Sequence, residues 1–361
     1  MMANDELTAL RSRFPALAEP MAYFDHAYTG LIPWPVLDSA RAAAIARFRR
    51  MPEDVERARA RVAAHLNAHP DEIRFVPGGT TQALALVASR LRLSPYDRVI
   101  ASAAEHRALH EPWGRSRLEL ARVDAVGCAI WPQLAARLPG ARVLAVALAG
   151  NVTGAIAPIP ELSRAARAAG VFTLVDAAQA APHLPIDVRA LGADALAFSS
   201  HKAWGLAGVG VLWGRASWLD QLGLDQASVE DAAPYEAILA LPDALDALAA
   251  ARTPGLTAHR SRLAAFLDAR LRALDGVRVL GPTDPAMRIP LWAIAGTGRS
   301  PAAIVHALAE AGIRVRAGQH RAEPLHATLG LDSTLRISAQ IVNTLDEAER
   351  LIAALKQAWG R

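Results

Sequence analysis

The chain has one cysteine, Cys128, among 361 residues. That excludes an internal disulfide and any cysteine-built metal cluster, no metal is expected, and Cys128 is expected to be a small core filler. Lysine is nearly as scarce: Lys202 and Lys356 are the only two, and arginine supplies every other basic side chain. A dense basic block with interleaved aromatics is also missing, since the arginines are spread among alanines at 39–50, 57–61 and 163–167. The net charge of +4 therefore reads as solvated helix faces, and no nucleic-acid partner is expected. Long apolar runs are absent too. The most hydrophobic tract, 143–159, is interrupted by Asn151 and two glycines and is too short to span a bilayer. Residues 1–14 carry Asp5, Glu6, Arg11 and Arg13 without an apolar core, unlike a signal peptide. A soluble, cytoplasmic protein without a membrane partner is the expectation.

What is present can bury a large core, with 52% hydrophobic and 20% charged residues. The length exceeds a usual single domain, so two are expected, at 21–240 and 241–361, with an N-terminal segment 1–20 packing on the second. A helix is expected at 7–17, an extended segment at 21–27, helices at 35–50 and 52–66, a strand at 71–76 and a helix at 83–91. Strands at 98–102, 141–148, 171–176, 193–199 and 208–213 then alternate with helices at 107–118 and 160–169. This is the pattern of an α/β fold, a mostly parallel sheet between helices, whose ligands sit beyond the carboxyl ends of the strands. After about residue 239 the texture becomes α+β. Helices are expected at 257–274, 301–311 and 345–359, with strands at 277–280, 287–293, 314–316 and 334–338.

Lys202 follows the apolar run 195–198 and precedes a glycine-rich turn, which places an amine at the mouth of a buried strand. An amine there can lose its proton and attack a carbonyl carbon, which a guanidinium cannot. Gly78-Gly79-Thr80-Thr81, between a strand and a helix, offers backbone N–H groups and hydroxyls to a phosphate, or Thr80 serves only as an N-cap. Asp176 ends a buried strand and is either the cap of a following helix or the counter-charge of a protonated ring nitrogen. His106 could lie flat on such a ring or simply cap a loop, and Ser199 and His201 could add phosphate donors or be ordinary strand-end polar groups. Taken together, an amine nucleophile, a ring counter-ion, a stacking group and a phosphate cradle at one sheet edge fit pyridoxal phosphate (PLP).

Residues from about 14 to 355 resemble the class V aminotransferase family of PLP fold type I, most closely its branch of cysteine desulfurases and selenocysteine lyases. The likeness is carried by Tyr23-Phe24-Asp25-His26-Ala27, Gly79-Thr80-Thr81, Glu105-His106, Asn151-Val152-Thr153-Gly154, Val175-Asp176-Ala177-Ala178-Gln179, Ser199-Ser200-His201-Lys202, and Arg336-Ile337-Ser338 with Asn343-Thr344. The resemblance implies a large PLP-binding domain, a smaller α+β domain and a homodimer. It implies that Lys202 carries PLP as an imine, Asp176 pairs with the pyridine nitrogen, Gln179 contacts the phenolic oxygen and His106 stacks on the ring. Gly79, Thr80, Thr81, Ser199 and His201 would hold the phosphate, while Ala27, Asn151 and Arg336 would meet the amino-acid substrate, Arg336 through its α-carboxylate.

Two departures bear on function. In the segment Arg316-Ala317-Gly318-Gln319-His320-Arg321, the place of the desulfurase cysteine is taken by Arg321, so a persulfide relay of the usual kind has no thiol. The Gly-Thr pair that the family extends to the partner's phosphate stands here as Ala232-Ala233, within Val229-Glu230-Asp231-Ala232-Ala233-Pro234. The expected activity is desulfurase-like C–S or C–Se bond cleavage without a persulfide cysteine, and Arg321 either reads an anionic substituent or leaving group or is a solvated loop arginine. The rivals are an aminotransferase, an isopenicillin N epimerase-like enzyme, and a non-catalytic PLP-binding scaffold.

Overall fold

The structure, a computed structural model, describes residues 2–49, 51–230, 232–296 and 299–359. Asp231, in the departing segment above, lies outside the described residues. Thirteen strands are present among them: β1 (Ala22–Tyr23), β2 (Ile73–Pro77), β3 (Arg98–Ser102), β4 (Arg117–Ala121), β5 (Val143–Ala147), β6 (Phe172–Asp176), β7 (Ala195–Ser199), β8 (Val209–Gly214), β9 (Val277–Val279), β10 (Leu291–Gly296), β11 (Ile313–Arg314), β12 (Arg316–Gly318) and β13 (Thr334–Ser338).

Seven strands form the main sheet in the order β2-β8-β7-β6-β5-β3-β4. Strands β3 to β7 are mutually parallel, and β8 runs against both its neighbours, β7 and β2. The carboxyl ends of β2, β3, β5, β6 and β7 therefore share one edge. The inner strands are apolar along their length because helices cover both faces. Leu144, Val146 and Val175 enter the core on one side, and Val143, Ala145 and Leu174 the core on the other, as a two-residue side-chain period requires.

A four-stranded antiparallel sheet, β12-β13-β10-β9, packs under the helices Pro254–Arg272, Pro301–Glu310 and Leu345–Trp359 around Trp292, Ile294, Leu335 and Ile337. The segment after β1 reaches into this sheet: Ser338 N–H donates to Phe24 O at 2.8 Å, and Ala27 N–H donates to Ser338 Oγ at 2.8 Å. Residues 25–28 are thereby held between the two sheets. The first helix, Met2–Arg11, packs on Pro254–Arg272, and Arg11 pairs with Glu347 at 2.8 Å.

Several elements differ from the sequence pattern. The helix expected at 107–118 is a single tight turn, Arg107–Leu109, followed by the edge strand β4. Its Arg-Leu-Glu-Leu alternation suits a strand with one face packed, and Arg98 clasps Glu119 across the β3–β4 pair at 2.9 and 3.0 Å. The helix expected at 7–17 ends at Arg11 because Pro15 forces Phe14 into extended geometry, φ −109° and ψ 108°. A sixteen-residue helix, Tyr235–Ala250, packs on Trp34–Ala46 and Pro52–His65 despite an interior proline, Pro242. Cys128 is no core filler: it is half-buried in a turn closed by Asp124, whose N–H donates to Cys128 O at 2.9 Å. Among the described residues no helix is long and apolar enough to cross a membrane.

Candidate active site

A cavity of about 570 Å³ opens along the shared carboxyl edge. Lys202 reaches it from the turn Ser200–Lys202, which directly follows β7. The turn is clamped from outside. Gly30 N–H donates to His201 O at 2.8 Å, and a Cβ on Gly30 would come within 2.7 Å of the Lys202 carbonyl oxygen, so only glycine lets the two backbones approach. Behind it, Trp204 holds a left-handed φ of 65° and donates its indole N–H to Gln340. Burial pulls the Lys202 amine down to about 8, against the attraction of Asp176, and the charges of Arg336 and Arg321 act in the same direction as burial.

Asp176 ends β6. One carboxylate oxygen accepts from Ala178 N–H at 2.8 Å, and the chain beyond makes turns, so the carboxylate caps no regular helix. Burial raises its pKa, with Lys202 and the Ala178 N–H opposing. Gln179 lines the cavity and donates one amide N–H to Ala27 O at 2.9 Å, which ties this floor to the segment after β1. His106, after β3, is pushed down to about 3 by burial and then by the charges of Lys202 and Arg321, so it is a neutral ring at the cavity. It also caps its own turn, Nδ1 accepting from Ala108 N–H at 3.1 Å. The structure thus shows the capping role of His106 and places its ring at the cavity.

The helix Thr80–Arg90 starts at the cavity with Gly79, not Thr80, at its N-cap. Thr80 instead points its hydroxyl at Ser199 Oγ, 2.6 Å away, and its N–H donates to the same oxygen at 2.8 Å. Gly79, at φ 84°, lies behind this pair: an added Cβ would meet Ser199 Oγ at 2.7 Å, and Gly78 lines the cavity in its place. Thr80, Thr81, Ser199 and His201 thus converge at the N-terminus of an eleven-residue helix, an arrangement suited to a phosphate. His201, pushed down to about 4 by burial and by Lys202, is a neutral donor or acceptor there.

The opposite wall comes from the second sheet. Arg336 on β13 is 4% exposed; it donates to Asn151 O at 3.2 Å, lies 3.5 Å from Asp25, and keeps a buried Nε without a partner. Burial draws its pKa down to about 10 despite Asp25. Three cavity features escaped the sequence reading. Arg316 pairs with Asp25 at 2.9 Å and lies 3.6 Å over the ring of Tyr28, which forms part of the rim. His320 also lines the cavity. A carboxylate ending an apolar segment at Asp25 was a legible sign that a buried cation would face it.

Residues 23–351 match the family "Aminotransferase class-V". The chain belongs to the class V aminotransferase family. It is 36% identical to a probable cysteine desulfurase of Pseudomonas aeruginosa, over 96% of this chain and 97% of that one. It is 32% identical to the cysteine desulfurase CsdA of Escherichia coli, over 96% of each. The solved structure of that CsdA superposes with a TM-score of 0.87, covering 98% of both chains at 30% identity, and a cysteine desulfurase from Thermococcus onnurineus with a TM-score of 0.88 at 24% identity. The protein is accordingly a PLP-dependent enzyme of the cysteine desulfurase-like group. The residues present fit the coenzyme: a buried amine for its aldehyde, a buried carboxylate for its ring nitrogen, a neutral imidazole beside it, and the Thr80–Ser199 cradle for its phosphate. All the expected site residues except Gly79 line this one cavity.

The lowered lysine leads to a pH prediction. Only the neutral amine can capture the aldehyde, and with a pKa near 8 instead of 10.5 it becomes available above pH 8. Capture of PLP by apoprotein is expected to accelerate about tenfold per pH unit below 8 and to level off above it. Absorbance-monitored uptake from pH 6 to 10 checks this; a rise continuing to pH 10 would contradict it.

Proposed function

We propose that the protein is a C–S bond lyase acting on cysteine-like amino acids without passing sulfur to a protein thiol. The carrying observation is that no thiol lines the cavity: the chain's one cysteine, Cys128, is outside it, with its pKa raised by burial to about 11. Such a thiol is protonated at neutral pH and does not line the cavity, which supports release of the sulfur group as a small free species.

PLP, when bound, supplies the electron sink that lets the Cα–H bond of an amino acid break. Arg336 then binds the α-carboxylate, its unpartnered Nε marking a guanidinium not yet satisfied by its own chain. Asn151 and Ala27 border the same space, and Asn151 O holds Arg336 in place. Lys202 Nζ takes the α-proton, which requires the neutral amine that its burial favours. Asp176 would hold a proton on the coenzyme's ring nitrogen, and Gln179 retains a second amide hydrogen that could meet the phenolic oxygen. His106 would cover the ring without adding charge. Thr80, Thr81, Ser199 and His201 would anchor the phosphate end. In net terms the Cα–H and Cβ–S bonds break, the sulfur leaves with the C–S electron pair and takes a proton, and one water converts the remainder to pyruvate and ammonia. We read the working unit as a homodimer.

Purified holoenzyme incubated with L-cysteine and S-substituted cysteines is expected to release pyruvate with no 2-oxo acid added. Amino transfer that depends entirely on an added 2-oxo acid would replace this reading with an aminotransferase. Holoenzyme that exchanges no amino acid's α-hydrogen with solvent deuterium would point to the non-catalytic scaffold.

A further inference from the structure

The loop after β12 is built to present one cation. His320 and Arg321 are consecutive non-glycine residues with left-handed φ, 53° and 57°, a conformation that L-residues rarely adopt singly, still less in pairs. Both carbonyls are captured by loops of the main sheet. Asn151 Nδ2 donates to His320 O at 2.8 Å, and Arg107 N–H donates to Arg321 O at 2.7 Å. Within the loop, Ala322 N–H donates to Gln319 O at 2.9 Å. Arg321 is therefore carried on a fixed backbone at the cavity wall.

The neighbouring cations have partners. Arg316 is matched by Asp25 and stacked on Tyr28, and Arg107 is matched by Glu111 at 3.0 Å. Arg336 leans on the backbone oxygen of Asn151, while Asn151's amide holds the carbonyl of His320, so one residue ties the Arg336 guanidinium to the loop that carries Arg321. Among the described residues no carboxylate lies within ion-pair distance of Arg321. Arg321 lines the same cavity as Lys202, its carbonyl is held by the N–H of Arg107 beside His106, and its charge is felt at both Lys202 and His106. One α-carboxylate can satisfy one guanidinium in bidentate fashion. The other guanidinium is left over.

The geometry points to a substrate with two anionic groups: a short amino acid whose β-carbon carries a sulfonate that Arg321 grips while Arg336 holds the α-carboxylate. This deepens the proposed function and rests on its assignment of Arg336. The sulfonate would sit against a cation as the C–S bond yields its electron pair to sulfur and sulfite departs, leaving a remainder that one water converts to pyruvate and ammonia; there a fixed positive charge is most effective.

The test is a titration of holoenzyme, read as the perturbation of coenzyme absorbance, with L-cysteine sulfinate and L-aspartate as dianionic probes and L-asparagine and L-cysteine as neutral-side-chain probes. Wild type is expected to half-saturate with the dianionic probes at concentrations roughly 10- to 100-fold lower, the range of a charge-assisted hydrogen-bonded pair. In Arg321→Gln that ratio is expected to collapse toward one, and in Arg321→Lys to recover in part. Equal half-saturation for both probe classes in wild type overturns the inference, as does an Arg321→Gln variant that keeps the ratio or loses only its grip on PLP. Arg336→Gln separates the layers: it is expected to weaken all four probes alike. If no probe perturbs the coenzyme in wild type, the proposed function itself fails; if the neutral probes bind and the ratio is one, only the second-anion assignment does.

Discussion

Lys202→Arg is expected to lower turnover of every amino acid by about 10⁴-fold or more, because the change removes both the covalent attachment and the proton acceptor. Size and charge are nearly kept, so the cavity should persist. What is lost is a nitrogen that can be neutral: a guanidinium stays protonated at any working pH, whereas the amine at 202 is drawn to about 8 by burial. The chain offers an internal control. Lys356 lies near the end of the helix Leu345–Trp359 and is exposed, and Lys356→Arg should leave turnover and coenzyme attachment as they were. Borohydride treatment followed by digestion and mass analysis should find the coenzyme on the peptide containing Lys202, and only there. A Lys202→Arg enzyme retaining a tenth of wild-type turnover, or coenzyme fixed at Lys356, would remove the basis of the active site described above.

Glu230→Ala is expected to destabilise the protein by about 2–4 kcal/mol, the cost of removing the main buried partner of a charge that keeps a weaker, more exposed one. Arg59, 1% exposed, donates to the two oxygens of Glu230 at 2.6 and 2.7 Å, and the same carboxylate accepts Phe75 N–H at 2.9 Å. Truncation would leave Arg59 with only the half-exposed Glu56, 3.1 Å away, and Ile73 O at 3.0 Å, and would leave a strand N–H of β2 unpaired in the core. Glu230→Gln, which keeps the acceptor but not the charge, should fall between. Denaturant unfolding of the apoproteins measures both, and the Arg59→Ala, Glu230→Ala double variant should be less destabilised than the sum of the singles. A loss below about 1 kcal/mol for Glu230→Ala would mean that water reaches Arg59. The site would feel the change as well, because β2 leads directly into Gly78–Thr81 and so sets where the phosphate cradle stands.

How far the chain could be read without its fold differs by element. The strands ending at Ser102, Asp176 and Ser199 declared themselves through continuous apolar runs, since an inner strand covered on both faces has no polar alternative. Lys202, Asp176, the Gly78–Thr81 turn and Arg336 were legible because their chemistry is at odds with their apolar surroundings. Edge strand β4 is not legible from sequence alone, because its short alternation follows alanine- and arginine-rich text whose propensity favours helix over 107–118.

The amino-acid order by itself determined the α/β layering and the polar groups at the strand ends, because both follow from side-chain periodicity over five to ten residues. Tertiary structure alone decided the rest: Asp25 as the shared partner of Arg316 and Arg336, some 300 positions away along the chain, Tyr28 under Arg316, and the left-handed pair that aims Arg321. Those contacts arise only when the antiparallel sheet closes over the carboxyl edge of the parallel one. No local pattern encodes a distance between two sheets.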